Sequence, residues 1–225
     1  MSATQFITDP ANIAGNKIKA IAGDFGEAIA WRDHKIDFIV GHAAGKHVLD
    51  LGCIGHDVAN LQSRYHVYRA LSQRCASLTG LDLSEAGISH MQALGYDAVF
   101  GDAQNFDLGR KFDCIVAGDL IEHLEDFSGF FRSVKRNLAE GGKLVISTPN
   151  PWYWRNIVKS VLSLEVSNNI EHTCWLCPRT LRQLAQRHGF RLDDITFGSR
   201  YARDRFMPLP RGIKHTSWHG ALVLD

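Results

Sequence analysis

Residues 47–57 read HVLDLGCIGHD. The run Val48-Leu49-Asp50-Leu51 leads directly into Gly52. A short, mostly apolar run ending on glycine is how a buried parallel strand delivers the chain into a ligand-cradling turn. The glycines depart from the dinucleotide pattern. A G-x-G-x-x-G turn starting at Gly52 needs its second glycine at position 54, where Ile54 stands. The stretch raises two questions: what sheet the strand belongs to, and what ligand its turn accepts.

The flanking chain answers the first. Further strands are expected at Leu78–Ser84, Ala98–Asp102, Phe112–Gly118 and Lys143–Thr148, after a first strand at His47–Cys53. Helices are expected between them, near 57–76, 85–94 and 120–139, and residues 13–43 read as helix in pieces. In the third helix Phe127, Phe131, Val134 and Leu138 recur at helical spacing, and Gly141-Gly142 supplies a stop. A last helix begins at Pro178, aligns Leu181, Leu184, Ala185 and His188, and ends at Gly189. Strands follow at Phe190–Phe197 and Thr216–Leu224. Strands alternating with helices predict an α/β fold: a Rossmann-like parallel sheet with helices on both faces. The hairpin-like return of the final pair adds one antiparallel strand.

At 225 residues, with 45% hydrophobic and 22% charged residues, the chain fits one soluble domain. The expected layout is a helical cap over 1–44, a cofactor-binding core over 45–150, a lid over 151–177, and a helix with a strand pair over 178–225. A net charge of +1 gives no global field favouring nucleic acid. Five scattered cysteines (Cys53, Cys75, Cys114, Cys174, Cys177) argue against a disulfide framework and for a reducing compartment. No signal-peptide pattern opens the chain and no apolar run reaches the length of a membrane span. The expected location is the cytoplasm, and nothing in the sequence speaks to oligomeric state.

In an open α/β sheet, ligands bind outside the carboxyl ends of the strands. Those ends carry Asp50-Leu51-Gly52-Cys53, Gly80-Leu81-Asp82-Leu83-Ser84, Gly101-Asp102-Ala103 and Gly118-Asp119. A carboxylate such as Asp82 accepts both ribose hydroxyls, and Asp102 is suited to an adenine amino group. Gly52 lets backbone approach a ligand closely. Ile54 and His56 are expected to crowd the turn, which leaves little room for a pyrophosphate cradle. The pattern favours an adenosine cofactor without phosphates.

The ordered segments VLDLGC, GLDLS, GDA, FDCIVAGDLIEHL and LAEGGKLVISTPN resemble those of class I S-adenosylmethionine-dependent methyltransferases over roughly residues 45–195. The resemblance implies a seven-stranded sheet with an antiparallel last strand. It implies that Asp50, Gly52, Cys53 and Gly55 wrap the methionine part of the cofactor. It places Asp82 and Leu83 at the ribose, Asp102 and Ala103 by the adenine, and Gly118 beside the cofactor. Where the family's turn reads D-x-G-C-G-x-G, this chain has D-L-G-C-I-G-H: one glycine is displaced to Gly55 and His56 replaces the last.

Methyl transfer to a hydroxyl needs alignment of the partners and a base for the proton. Asp119, Glu122 and His123 are spaced i, i+3 and i+4, which would put them on one face of a helix. This D-x-x-E-H resembles the E-x-x-E-H of ubiquinone-pathway O-methyltransferases, which is associated with a divalent metal. A structural role is favoured for Glu122, and His123 is read as base or scaffold. His172 resembles a histidine found at this place in methyltransferases of sugar and quinone pathways, as a base or acceptor contact. Trp152, Tyr153, Trp154 and Trp175 suggest an aromatic wall, or else a lid packing its own small core. His172, Cys174 and Cys177 lack the second pair a zinc site needs, so buried thiols are expected. Arg200, Arg203, Arg205, Arg211 and Lys214 form a basic loop suited to a phosphorylated acceptor, or simply solvated. The expected activity is O-methylation of a sugar or glycan precursor, including nucleotide-linked sugars. A quinone-type acceptor is the runner-up. A non-catalytic methyltransferase-fold module binding a protein partner is the rival of another class.

Overall fold

Alternate residues of a strand face opposite sides of its sheet. In β1 (His47–Leu51) Val48 faces one way, Leu49 and Leu51 the other. In β4 (Phe112–Gly118) Cys114 and Val116 share the side of Val48, whereas Ile115 and Ala117 join the other. Both faces are apolar, so both must be covered. The computed structural model describes residues 35–55, 61, 63, 66–162, 164, 169, 171–198, 204 and 206–225.

Helix α1 (Lys35–Ala43) covers the first face with Phe38, Ile39 and Ala43, joined by Leu71 of α2 (Val67–Ser72). The second face is covered by Phe130, Phe131 and Val134 of α4 (Phe127–Asn137) and by Leu181 and Ala185 of α6 (Pro178–Arg187). The seven strands run in the order β3 (Ala98–Phe100), β2 (Ser77–Asp82), β1, β4, β5 (Leu138–Pro149), β7 (Ser217–Leu224), β6 (Phe190–Gly198). β1 to β5 pair parallel, and β7 runs antiparallel to both β5 and β6. The expected architecture is the observed one. The strand order reverses between β1 and β4, which opens a crevice at their carboxyl ends.

Several local expectations need correction. The third helix starts at Phe127, not near 120, because Asp126 caps it: its carboxylate accepts from Gly129 N at 2.8 Å. Ile121–His123 form a single 3₁₀ turn instead. Asp119, Glu122 and His123 therefore do not share a helical face. The helix ends at Asn137 and β5 begins at Leu138, so Gly141-Gly142 lie within the strand and stop nothing. Of the helix expected over 57–76 the described part is Val67–Ser72, preceded by His66 in extended conformation. Within the expected N-terminal cap the described residues are 35–43 and the turn to β1, with α1 as their helix. Positions 1–34, His56, Arg200, Arg203 and Arg205 lie outside the described residues.

Candidate active site

The turn after β1 is held by backbone. Gly52 N and Cys53 N donate to Leu81 O at 2.8 and 3.3 Å. Gly52 takes φ +74°, a conformation glycine adopts without penalty. Ile54 N donates to Asp82 Oδ2 at 3.0 Å, and Ser84 N to Asp82 Oδ1 at 2.9 Å. Ile54 does not crowd the turn with its side chain, as the sequence suggested. The side chain is buried with Ile88 and Met91 of α3 (Glu85–Ala93). It sits where a Cβ on Gly87 would meet Ile54 Cδ1 at 2.9 Å, so the missing glycine of the turn is answered by a glycine on the facing helix.

A cavity of about 400 Å³ opens at the carboxyl ends of β1, β2, β3 and β4, within the range of small-molecule sites. Its lining includes Asp50, Gly52, Cys53, Gly55, Asp82, Leu83, Asp102, Ala103 and Gly118, so every residue expected to meet the cofactor faces one space. His123 lines it too. His172 is not in the lining but packs edge-on against His123, ring centres 4.8 Å apart. Lys35, His66, Gln104, Asp119 and Glu171 also line it and were not singled out as cofactor contacts from sequence.

The β4 side of the cavity is a knot of charge. Asp119 is the one non-glycine residue with positive φ (+50°) among those described. Its carboxylate pairs with Lys35 Nζ and accepts from Ser147 Oγ at 2.8 Å, while its N–H reaches Ser147 Oγ at 3.0 Å. Burial opposes ionisation here, but the Lys35 ammonium and the Ser147 hydroxyl outweigh it and hold this carboxyl below the ordinary range. Glu122 behaves oppositely. It is buried, and burial first, then the neighbouring Asp119 charge, pushes its pKa up to about 8 despite a bond from Thr148 Oγ1 at 2.9 Å. Asp50 is likewise pushed up to about 8 by burial and by Asp82.

The chain following α5 (Trp154–Val161) returns across the Glu122 turn. Thr173 N donates to Glu122 O at 2.9 Å, and Thr173 Oγ1 donates to the carbonyls of Glu122 and Leu124 at 3.1 and 3.0 Å. This fixes His172 beside His123, and Trp175 beside His172 at 6.2 Å between rings. The other aromatics do not form a wall on the cavity. Tyr153 is buried and bonds Asp204 at 2.5 Å, Trp154 lies under Arg155, and Trp152 is half exposed.

Asp119 is committed to Lys35 and Ser147, so the D-x-x-E-H set does not assemble. Glu122, His123 and His172 do converge, one donor atom of each lying within 4.8 Å of the others, although one Glu122 oxygen is already bonded by Thr148. No zinc set forms from His172, Cys174 and Cys177. Cys174 points to the Ile121 and Glu122 carbonyls, and Cys177 caps α6.

A family model described as "Methyltransferase domain" matches residues 27–195. The chain belongs to the class I S-adenosylmethionine-dependent methyltransferase family. It is 30% identical to the ubiquinone biosynthesis O-methyltransferase of Coxiella burnetii over 164 residues, 68% of this chain and 66% of that one. It is 28% identical to the ubiquinone biosynthesis O-methyltransferase of Pseudomonas entomophila over 130 residues, 54% of this chain and 50% of that one. The chain thus spans about half the length of some curated relatives it matches. The crystal structure of an S-adenosylmethionine-dependent methyltransferase from Mesorhizobium loti superposes with a TM-score of 0.58 at 20% identity, covering 83% of this chain and 94% of that one. That likeness carries the fold. No described helix is long and apolar enough to cross a membrane.

Proposed function

We propose that the chain transfers a methyl group from S-adenosylmethionine to a hydroxyl of a small aromatic, quinol-type acceptor. The observation that carries this reading is the His123–His172 pair standing at the His123 side of the cofactor-sized cavity. When bound, the cofactor supplies an electrophilic methyl on a sulfonium. Asp82 would hold the ribose hydroxyls, Asp102 the adenine edge, and Asp50 with the Gly52–Gly55 turn the methionine portion. His123 would take the proton of the acceptor hydroxyl, and the cofactor would supply the methyl group and be left as a neutral thioether. His172 orients His123, and Trp175 packs edge-on against His172.

The likeness to ubiquinone biosynthesis O-methyltransferases supports a quinol-type acceptor over the sugar first expected. The nucleotide-sugar reading rests on the basic loop of Arg200, Arg203, Arg205, Arg211 and Lys214. Three of its arginines lie outside the described residues, and Asp204 of the same loop is bonded to Tyr153 and Arg155. The test is methyl transfer from labelled cofactor to a panel of catechol- and quinol-type phenols and nucleotide-linked sugars. Transfer to phenols is expected, and His123→Ala should lower kcat about 100-fold while leaving S-adenosylhomocysteine affinity unchanged. Methylation of the sugars alone would restore the sugar reading. Failure to bind the cofactor at all would favour the partner-binding module.

A further inference from the structure

Strand β3 stops at Phe100, and the chain turns at once. Asn105 N donates to Asp102 O at 2.9 Å, and Asp102, Ala103 and Gln104 line that end of the cavity. Gln104 is gripped there through both backbone and side chain. Its backbone is wedged on α4: a Cβ on Gly129 would collide with Gln104 O, and Ser133 Oγ donates to that oxygen at 3.5 Å. Its side chain takes two bonds from the chain that enters α4. Glu125 N and Asp126 N both donate to Gln104 Oε1, at 2.8 and 2.6 Å. Two N–H donors select the oxygen of an amide, so the Nε2 amine is turned the other way. It meets Asp102: Nε2 donates to Oδ1 at 3.4 Å, and Gln104 N donates to the same oxygen at 2.8 Å.

The Asp102 carboxylate thus has one oxygen engaged and one open. No described residue bonds Oδ2. Nor is that oxygen closed off, because the buried polar side-chain atoms without a partner, among the described residues, all belong to His66, Trp154, Arg155 and His219. A single donor leaves a carboxylate free to swing about its one bond. Two donors, carried by one residue that is itself clamped, settle which way the second oxygen points. The amide brings no charge, so it directs the carboxylate and leaves its charge for a ligand. An ionised carboxylate only accepts, so the partner for Oδ2 is a donor. With Asp82 on the ribose, the nucleobase reaches this end of the cavity, and the donor that adenine offers is its 6-amino group. We infer that Gln104 is a positioning residue for nucleobase selection: by fixing Asp102 it makes Oδ2 select a 6-amino purine, an inference that rests on the cofactor reading above.

Calorimetric titration of the full chain at about pH 8, where carboxyls of ordinary pKa are ionised, tests this with two probes. One is S-adenosylhomocysteine. The other is its 6-deamino analogue, in which hydrogen replaces the amino group, so the ratio of the two affinities reads the bond that the amino group makes. Gln104→Glu keeps an oxygen for Glu125 N and Asp126 N but sets a second carboxylate against Asp102. Gln104→Met removes the amide altogether. The wild type should bind S-adenosylhomocysteine about ten-fold or more tighter than the analogue. Both variants should bring that ratio below about three-fold, with the analogue's affinity within about two-fold of wild type, which also certifies the fold. In an Asp102→Ala background the ratio should already be small, and adding Gln104→Met should leave it unchanged. Equal losses on both probes would overturn the inference and leave Gln104 as a brace for α4. A ratio that falls for Gln104→Met alone would overturn it too, and assign the effect to the bonds on Oε1. So would a further fall in the Asp102→Ala background, which would put Gln104 itself on the nucleobase. A wild-type ratio near one would overturn the inference and leave the cofactor reading standing. Failure of the wild type to bind either probe would sink the cofactor reading, and the inference with it.

Discussion

The two walls of the cavity are built by different means. On the β1–β2 side the chain is held by backbone N–H groups: those of Gly52 and Cys53 on Leu81 O, those of Ile54 and Ser84 on the Asp82 carboxylate. On the β4 side side chains do the holding, and they come from far apart in the chain. Lys35 reaches Asp119, Ser147 reaches Asp119, Thr148 reaches Glu122, and Thr173 clasps the Glu122 and Leu124 carbonyls. A wall made of backbone bonds tolerates a changed side chain, and so Ile54 can replace a glycine. A wall made of side chains depends on each residue named.

The sharpest way to break this contrast is Asp82, whose carboxylate takes two backbone donors of a wall that His66 also braces, its Nε2 facing the Ile54 carbonyl at 3.2 Å. Asp82→Ala strands two backbone donors and removes the carboxylate proposed to hold the ribose. It should weaken S-adenosylhomocysteine binding about 100-fold or more by calorimetry, since charge-assisted bonds are worth about 1.5–3 kcal/mol each. A loss under three-fold would show that the Leu81 bonds alone suffice.

Next comes pH. Asp50 and Glu122 have pKa values raised from 3.8 and 4.5 to about 8 in the folded chain. The folded state therefore keeps their protons where the unfolded chain has lost them. The stability this confers is fully present below about pH 4 and is lost as pH rises through 8. Between pH 5 and pH 9 the ligand-free chain should lose about 2 kcal/mol or more from these groups, read by denaturant melts. Asp50→Asn and Glu122→Gln should each flatten that slope. A pH-independent melt, or one unchanged by either substitution, would remove these two groups from the account.

The smallest effect is expected at the half-exposed ion pair. Lys35→Met should cost about 1 kcal/mol, a few degrees in Tm, and let the Asp119 carboxyl return toward its ordinary range. If the loss exceeds that of Asp82→Ala on cofactor binding, the β4 side is the principal binding wall and the contrast is inverted.

What could be read in advance follows the same division. The β1–β2 wall was legible because strand ends bring Gly52, Asp82 and Asp102 together by topology alone. The nine residues expected at a cofactor line one cavity. The β4 wall was not legible. The i, i+3, i+4 spacing of Asp119, Glu122 and His123 suggested a helix, but the capping signal lay later, at Asp126. Lys35 gave no sign, since its partner is 84 residues away. His66 had one: a turn short of a glycine needs support from elsewhere, and no motif says from where. The pairing of Gly87 with Ile54 was invisible for the same reason, being a fit of shapes between two elements.

The clasp of Thr173 on the Glu122 turn carries a consequence for how the site divides its work. Three hydrogen bonds anchor the chain just after His172, on the far side of α5 from β5. The chain leaves the sheet at the end of β5, runs through α5, and is tied to the Glu122 turn again at Thr173. The position of His123 and His172 is thus set by Thr173 and the Glu122 turn, not by the chain that runs between β5 and the clasp. On the proposed reading, the part of the chain that would meet the acceptor is thereby mechanically separate from the pair that would take its proton.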